Sequence, residues 1–251
     1  NTINPLISNN RNVQEITKLV FEPLLQLDEN YKLQPCLATE WAKSGDTSYI
    51  LKLRSNVKWQ DGTSFTAQDV KYTIETLKQV NSIYSYNVQH VTSVDIIDNY
   101  SIRINLDTII PFFEYNLIFP IVSSTYFAGQ DIQNTEKNNT PIGTGMYKIE
   151  SNSDSTVVLK KNTSWWNISE KNAKVDTINV NKYSSMGEAY NAFKLGNIDI
   201  LTTENINIED NIGTIGYNKK EFYGREHDFI ALNTYDNFLS RWEVRKAISY
   251  A

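Results

Sequence analysis

Cysteine is almost missing. Cys36 stands alone in 251 residues, which excludes an internal disulfide framework. Histidine is nearly as scarce: the 2 present, His90 and His227, lie far apart, and neither has a second ligand at metal spacing. Each reads as a structural histidine. No run approaches the ~20 apolar residues that cross a bilayer as a helix. Positive charge is not in excess either. With 24 Lys and Arg against 29 Asp and Glu, the net charge is −5, and no cationic face for nucleic acid is expected. Catalytic patterns are absent as well. There is no Gly-x-Ser-x-Gly elbow, and Cys36 has no basic neighbours. The adjacent Glu209-Asp210 point apart, in what reads as a solvated loop. Gly143-Thr-Gly145 lacks the third glycine, or the Gly-Lys-Ser/Thr, of a phosphate loop and reads as a structural turn.

What remains is ordinary material for a folded protein. Hydrophobic residues make up 40% of the chain, enough for a proper core in one large domain or two small ones. The strongest local signal is at residues 49–77. Tyr49, Leu51 and Leu53 alternate with Lys52 and Arg54, as in a half-buried strand. Asp61-Gly62 is a turn whose glycine supplies the positive φ. Thr66, with Asp69 three residues on, predicts a capped helix start, and Val70, Ile74 and Leu77 give that helix one apolar face.

Taken in order, Ile3-Asn-Pro-Leu6 reads as extended, because Pro5 disfavours helix at residue 4. Asn12 and Glu15 read as N-cap and N3 of a helix carrying Val13, Ile16 and Val20 and ending near Pro23. Cys36, at a loop junction, reads as packing. Residues 82–131 read mostly as strand, with a hairpin between 91–97 and 101–106 and a short helical segment at 111–117. Residues 130–140 read as a polar linker. Strands are expected at 157–160, 175–180, 197–201 and 229–234. Ser185 and Glu188 cap a helix that turns Ala189, Ala192 and Phe193 inward and stops at Gly196. Ser240 and Glu243 are expected to cap a last helix over 242–251. The sequence opens without Met, so it is expected to start after processing or at an artificial boundary.

Several stretches together resemble one family. LKLRSNVKWQDGTSFTAQDV at 51–70 is similar to the "LR-x-x-(V/A)-K-(F/W)-x-D-G-x-x-(F/L)-T-A-x-D-V" segment of extracellular solute-binding proteins of the oligopeptide, dipeptide and nickel type, which deliver ligand to ABC importers. Phe21-Glu-Pro-Leu and Pro35-Cys-Leu-Ala-Thr-Glu-Trp41 resemble its "YEGL…P-x-LAxxW" run. Pro141-Ile-Gly-Thr-Gly-Met-Tyr147 resembles "P-x-GTGPY", with Met146 in place of Pro. Asn162 to Trp166 resembles "N-x-x-YW", with Trp165 in place of Tyr, and at least one of the two indoles reads as packing under a loop. Residues 192–199 resemble "A-x-x-x-G-x-(I/V)-D", and the last residues resemble "VR-x-A-(I/L)-x-x-A".

The resemblance implies an α/β (mixed α+β) fold, a periplasmic-binding-protein-like type II lobe with an inserted subdomain. Residues 1–22 and 139–251 would form the ligand-facing lobe and 23–138 the insertion. Relatives are about twice as long, so the matched residues would be an N-terminal half or separate lobe. The implied function is capture of short extracellular peptides for ABC-transporter permease subunits in the membrane, without catalysis, cofactor or nucleic acid. The implied place is the extracellular face of the membrane, lipid-anchored, or the periplasm. A nickel or other small-solute binder of the same family is the alternative. So is a carbohydrate-processing enzyme, because the aromatics at 165–166 and 217–223 suit a core and a cleft equally. The ligand-facing places implied are the loop Ser8, Asn9, Asn10, Arg11 and Asn12; the loop Thr202, Thr203 and Glu204; and Tyr223 and Arg225 with Phe229. An extended peptide there would bond mainly to backbone groups.

Overall fold

The computed structural model describes residues 2–205, 207–213, 216–221 and 229–250, in two compact units, 1–184 and 185–251. The first is built on a four-stranded antiparallel sheet of order β3-β4-β6-β5, formed by β3 (Ala38–Lys43), β4 (Ser48–Leu53), β5 (Val91–Asp98) and β6 (Ser101–Leu106). On β4 and β6 the alternation expected from the sequence is literal. Tyr49, Leu51, Leu53, Ile102, Ile104 and Leu106 are buried, while Lys52 and Arg103 between them face out.

Helix α2 (Ala67–Leu77) buries Val70, Ile74 and Leu77 in the core beneath this sheet. Its capping box forms at Thr66, where the Asp69 carboxylate accepts from Thr66 N at 2.9 Å. The same carboxylate accepts from Trp59 Nε1 at 3.2 Å and from Ser124 N and Oγ at 2.8 and 2.7 Å. One cap therefore also fastens two loops. Gly62 takes φ +89°, as the Asp61-Gly62 turn requires.

A two-stranded ribbon of β1 (Leu25–Leu27) and β2 (Leu33–Pro35) flanks this sheet. A further antiparallel sheet has the order β7-β8-β9, from β7 (Tyr147–Asn152), β8 (Thr156–Lys161) and β9 (Thr177–Asn181). Residues 19–22 are held against 143–166. Gly145 N donates to Val20 O at 2.8 Å and Tyr147 N to Leu19 O at 3.0 Å. Gly143 and Gly145 are glycine because the backbone of Val20 passes there: a Cβ on Gly143 would lie 1.9 Å from Val20 O.

Several expectations are corrected. Helix α1 (Arg11–Thr17) is capped by Asn10, whose side chain accepts from Asn12 N and Val13 N, so Asn12 lies inside the first turn. Glu15 takes Lys18 at 2.6 Å instead of capping. The helix stops before Val20 because Leu19 and Val20 are drawn into backbone pairing with Tyr147 and Gly145. Pro5 to Ile7 form a turn, stabilised by Leu6 N donating to Asn4 Oδ1 at 2.9 Å. Within 82–131, the expected hairpin and the single helical turn (Phe113–Asn116) are present, but α3 (Ser85–Val88) is helical and no strand follows β6. Residues 130–140 are more than a linker. Asn138 is buried and bonds the amino-terminal segment, with Asn4 Nδ2 to Asn138 Oδ1 and Ile3 N to Asn138 O both at 2.8 Å.

In the second unit, α4 (Met186–Lys194) starts at the Ser185 cap, ends at Gly196 with φ +72°, and buries Ala189 and Ala192; Phe193 is only half-buried, against the Tyr217 ring. Residues 197–201 and the described residues 229–234 are not strands. Both carry apolar residues, but a strand needs a neighbour for its backbone ladder, and no described strand pairs with either. Glu209 and Asp210 open a short helix, α5 (Glu209–Ile212), rather than a loop. The last helix is α6 (Trp242–Ile248). Arg241 stands at its cap position, while Ser240 Oγ donates to Asn237 O, so the Ser240–Glu243 box does not form.

Candidate functional site

The loop before α1 is shaped by a few side chains. Gln14, buried, donates through Nε2 to Pro5 O at 2.9 Å and Ser8 O at 2.5 Å, and its Oε1 accepts from Tyr84 OH at 2.8 Å. Ser8 is thereby buried, and the Asn10 oxygen is occupied by the helix cap. The side chains of Asn9, Arg11 and Asn12 stand exposed on this rigid base. Arg11 and Asn12 do so from the first turn of α1. Gln14 and Tyr84, which set the loop's shape, were missed in the sequence. The signal available was a glutamine on the apolar side of α1.

In the second unit, Thr203 Oγ1 lies 3.2 Å from Tyr190 OH and accepts from Asn205 N at 3.1 Å, which fixes the loop leaving α4. Thr202 and Glu204 are exposed beside it. Phe229 is 80% exposed. Tyr223 and Arg225 lie outside the described residues. The loop at 8–12 thus belongs to the first unit, and 202–204 and Phe229 to the second. Glu209 accepts from Lys219 at 2.7 Å, which lowers its pKa, and Lys219 also meets Glu221 at 2.7 Å.

The first unit also holds a buried polar node at Glu22. Glu22 is buried, and its carboxylate accepts from Trp165 Nε1 at 3.0 Å, Trp166 Nε1 at 2.8 Å and Thr144 Oγ1 at 2.8 Å. Arg54 stacks 4.2 Å above the Trp166 ring and donates from Nε to Cys36 O at 2.6 Å. Burial pushes the Glu22 carboxyl pKa up, and the three donors and Arg54 oppose that rise. Burial likewise raises the Cys36 thiol, so it is an inert packing group. This node joins segments more than a hundred residues apart in sequence. One acid inside the apolar run at 20–25 and two adjacent indoles were its only traces in the sequence.

His90 pairs with Asp107 at 3.0 Å on the surface. Among the described residues, no three of His, Cys, Asp and Glu meet at metal-binding distances. No helix among them is long and apolar enough to cross a membrane.

Against known proteins, residues 32–251 match the family model for the middle region of bacterial extracellular solute-binding proteins, family 5. The chain belongs to this family. The glutathione-binding protein GsiB of Shigella boydii is 29% identical over 169 residues, 66% of this chain and 33% of that protein. Among solved structures, NikZ of Campylobacter jejuni, in complex with Ni(L-His), is 27% identical. It matches with a TM-score of 0.74 over 99% of this chain and 50% of its own. The ABC transporter substrate-binding protein CtaP of Listeria monocytogenes is 27% identical, with a TM-score of 0.68 over 78% of this chain and 41% of its own. The family 5 chain therefore spans between a third and a half of these relatives' lengths. Its fold is mixed α/β, of the type II periplasmic-binding-protein-like class expected from the sequence. The family is one of solute-binding proteins.

Proposed function

We propose that this family 5 chain supplies one lobe of a two-lobed clamp that captures short peptides outside the membrane and hands them to ABC-transporter permease subunits, without turning them over. The match of residues 32–251 to the family carries this reading. GsiB, 29% identical, binds glutathione, itself a small peptide, which favours peptides as the solute class. In this reading Ser8 to Asn12, Thr202 to Glu204, Tyr223, Arg225 and Phe229 form the chain's side of the ligand site. Asn9, Arg11 and Asn12 present polar groups from a loop braced by Gln14, and Phe229 offers an apolar face.

The domain division we propose joins 1–22 with 139–251 and treats 23–138 as an insertion. The bonds of Val20 to Gly145 and of Glu22 to Thr144, Trp165 and Trp166 support it. The place of action we propose is the extracellular face of the membrane, lipid-anchored, or the periplasm.

A second reading, capture of a nickel chelate, is favoured by the likeness to NikZ with its Ni(L-His) ligand. Calorimetry of the complete protein with glutathione, di- to pentapeptides and Ni(L-His) separates the two. Saturable peptide binding with peptide recovered intact supports the first. Binding of Ni(L-His) alone supports the second, and peptide cleavage refutes the non-enzymatic reading.

A further inference from the structure

We propose that the outer edge of β3, with the groove beside it, is a second docking site that takes an extended, neutral peptide segment as an added strand. β3 ends the order β3-β4-β6-β5, so one side of it has no ladder partner. Just upstream, Leu37 N and Ala38 N are already taken by Pro23 O and Leu24 O. From Thr39 to Lys43, no described backbone group outside β4 bonds to the strand. Half of its amides and carbonyls therefore face away from the sheet, the arrangement that recruits another backbone.

A groove of about 360 Å3 runs beside this edge. Trp41, Ala42 and Lys43 line one wall, and Ile109, Phe112 and Glu114 line the other. The far wall is apolar and in water: Ile109 is 58% and Phe112 75% exposed. Phe112 also holds φ +56°, a left-handed conformation that bulky residues resist, and no burial of its ring offsets the strain. Its carbonyl accepts from Tyr115 N at 3.0 Å, and its ring meets Tyr115 edge-on, so the strained turn is held in place. Charged residues usually guard open edges, but Glu40 is drawn to Lys52 of β4 at 3.1 Å and Lys43 to Asp46 at 3.7 Å.

The chemistry identifies the occupant. A free edge of N–H and C=O groups is matched only by another extended backbone. The groove takes one apolar side chain of that segment, between Trp41 and Phe112. The charged residues lining the groove are one of each sign, Lys43, which also pairs with Asp46 at 3.7 Å, and Glu114, which favours a segment without net charge.

The test uses the complete protein, 15N-labelled, and an end-blocked pentapeptide Thr-Val-Phe-Val-Thr. Three comparisons are run: the same peptide N-methylated at alternate amides, the peptide with Ser for Phe, and the Phe112→Gly variant. The proposal expects amide shifts confined to 39–43 and 109–114. It also expects at least about tenfold weaker binding in all three comparisons. Equal binding of the N-methylated peptide would reduce the site to an apolar groove and overturn strand addition. Shifts confined to 8–12 and 202–204, or no binding at millimolar peptide, would overturn it outright. Phe112 is not among the residues proposed for solute capture, so failure here leaves that reading intact.

Discussion

Substituting Gly143 by alanine tests how the amino-terminal segment is fixed. The new Cβ would meet Val20 O at 1.9 Å, Val20 C at 2.6 Å and Val20 Cγ1 at 3.0 Å. Two of these three atoms are backbone, so no rotamer change relieves the contact. Roughly 1 Å of backbone movement is needed, in an interior that is close-packed. That movement breaks Gly145 N to Val20 O, between buried residues, and Tyr147 N to the half-buried Leu19 O. It also shifts Glu22, two residues on from Val20, away from its three donors. Two backbone hydrogen bonds lost with their partners left unpaired, plus strain, amount to about 3–5 kcal/mol. For a protein of this size that lowers the melting temperature by roughly 10 °C. Gly62→Val is the control. There φ is +89° but no heavy atom lies within 4 Å of the added Cβ, so only the backbone preference is lost, about 1–2 kcal/mol. Thermal and urea melts on both variants are decisive. A Gly143→Ala variant melting within a degree or two of wild type, or above Gly62→Val, would refute the close-approach argument.

Glu22 has a folded-state pKa raised by burial, so its stabilising contribution is full below its ordinary value of 4.5 and is lost as pH rises through the folded pKa. Wild type is therefore expected to lose stability relative to Glu22→Gln between pH 4 and neutral, by urea melts; a constant difference would contradict this. Asp69→Asn leaves one acceptor oxygen where two carboxylate oxygens met Thr66, Trp59 and Ser124, and should cost about 2–4 kcal/mol. Phe229→Ser, at a ring 80% exposed, should change stability by less than about 0.5 kcal/mol while weakening peptide capture several-fold by calorimetry.

The elements legible in the sequence are those whose information is local. β4, the Gly62 turn, α2 with its cap and α4 with its Ser185 cap each rest on residues within one turn or one pleat of each other. The misplaced end of α1 and the missing strands share one cause. α1 was misplaced because its end is set by Gly145 and Tyr147, and Ile198, Ile200 and Phe229 carry a strand's residues without a strand beside them. The Glu22 node and the Asn4–Asn138 bond join partners more than a hundred residues apart, and no local pattern announces such a pairing. For the candidate site, the loops rest on resemblance alone. That Gln14 and Tyr84 brace the first loop, and that Ser8 and the Asn10 oxygen are engaged within the fold, emerged only from three-dimensional placement.

Solute capture itself is tested most directly by isothermal titration of the complete protein with glutathione and a set of di- to pentapeptides, followed by mass spectrometry of the recovered ligand. Saturable binding of at least one peptide, weakened by substitution at Arg11 or Phe229 and with the peptide recovered unchanged, is the predicted result. No binding of any peptide beside tight binding of Ni(L-His), or recovery of cleaved peptide, would contradict it.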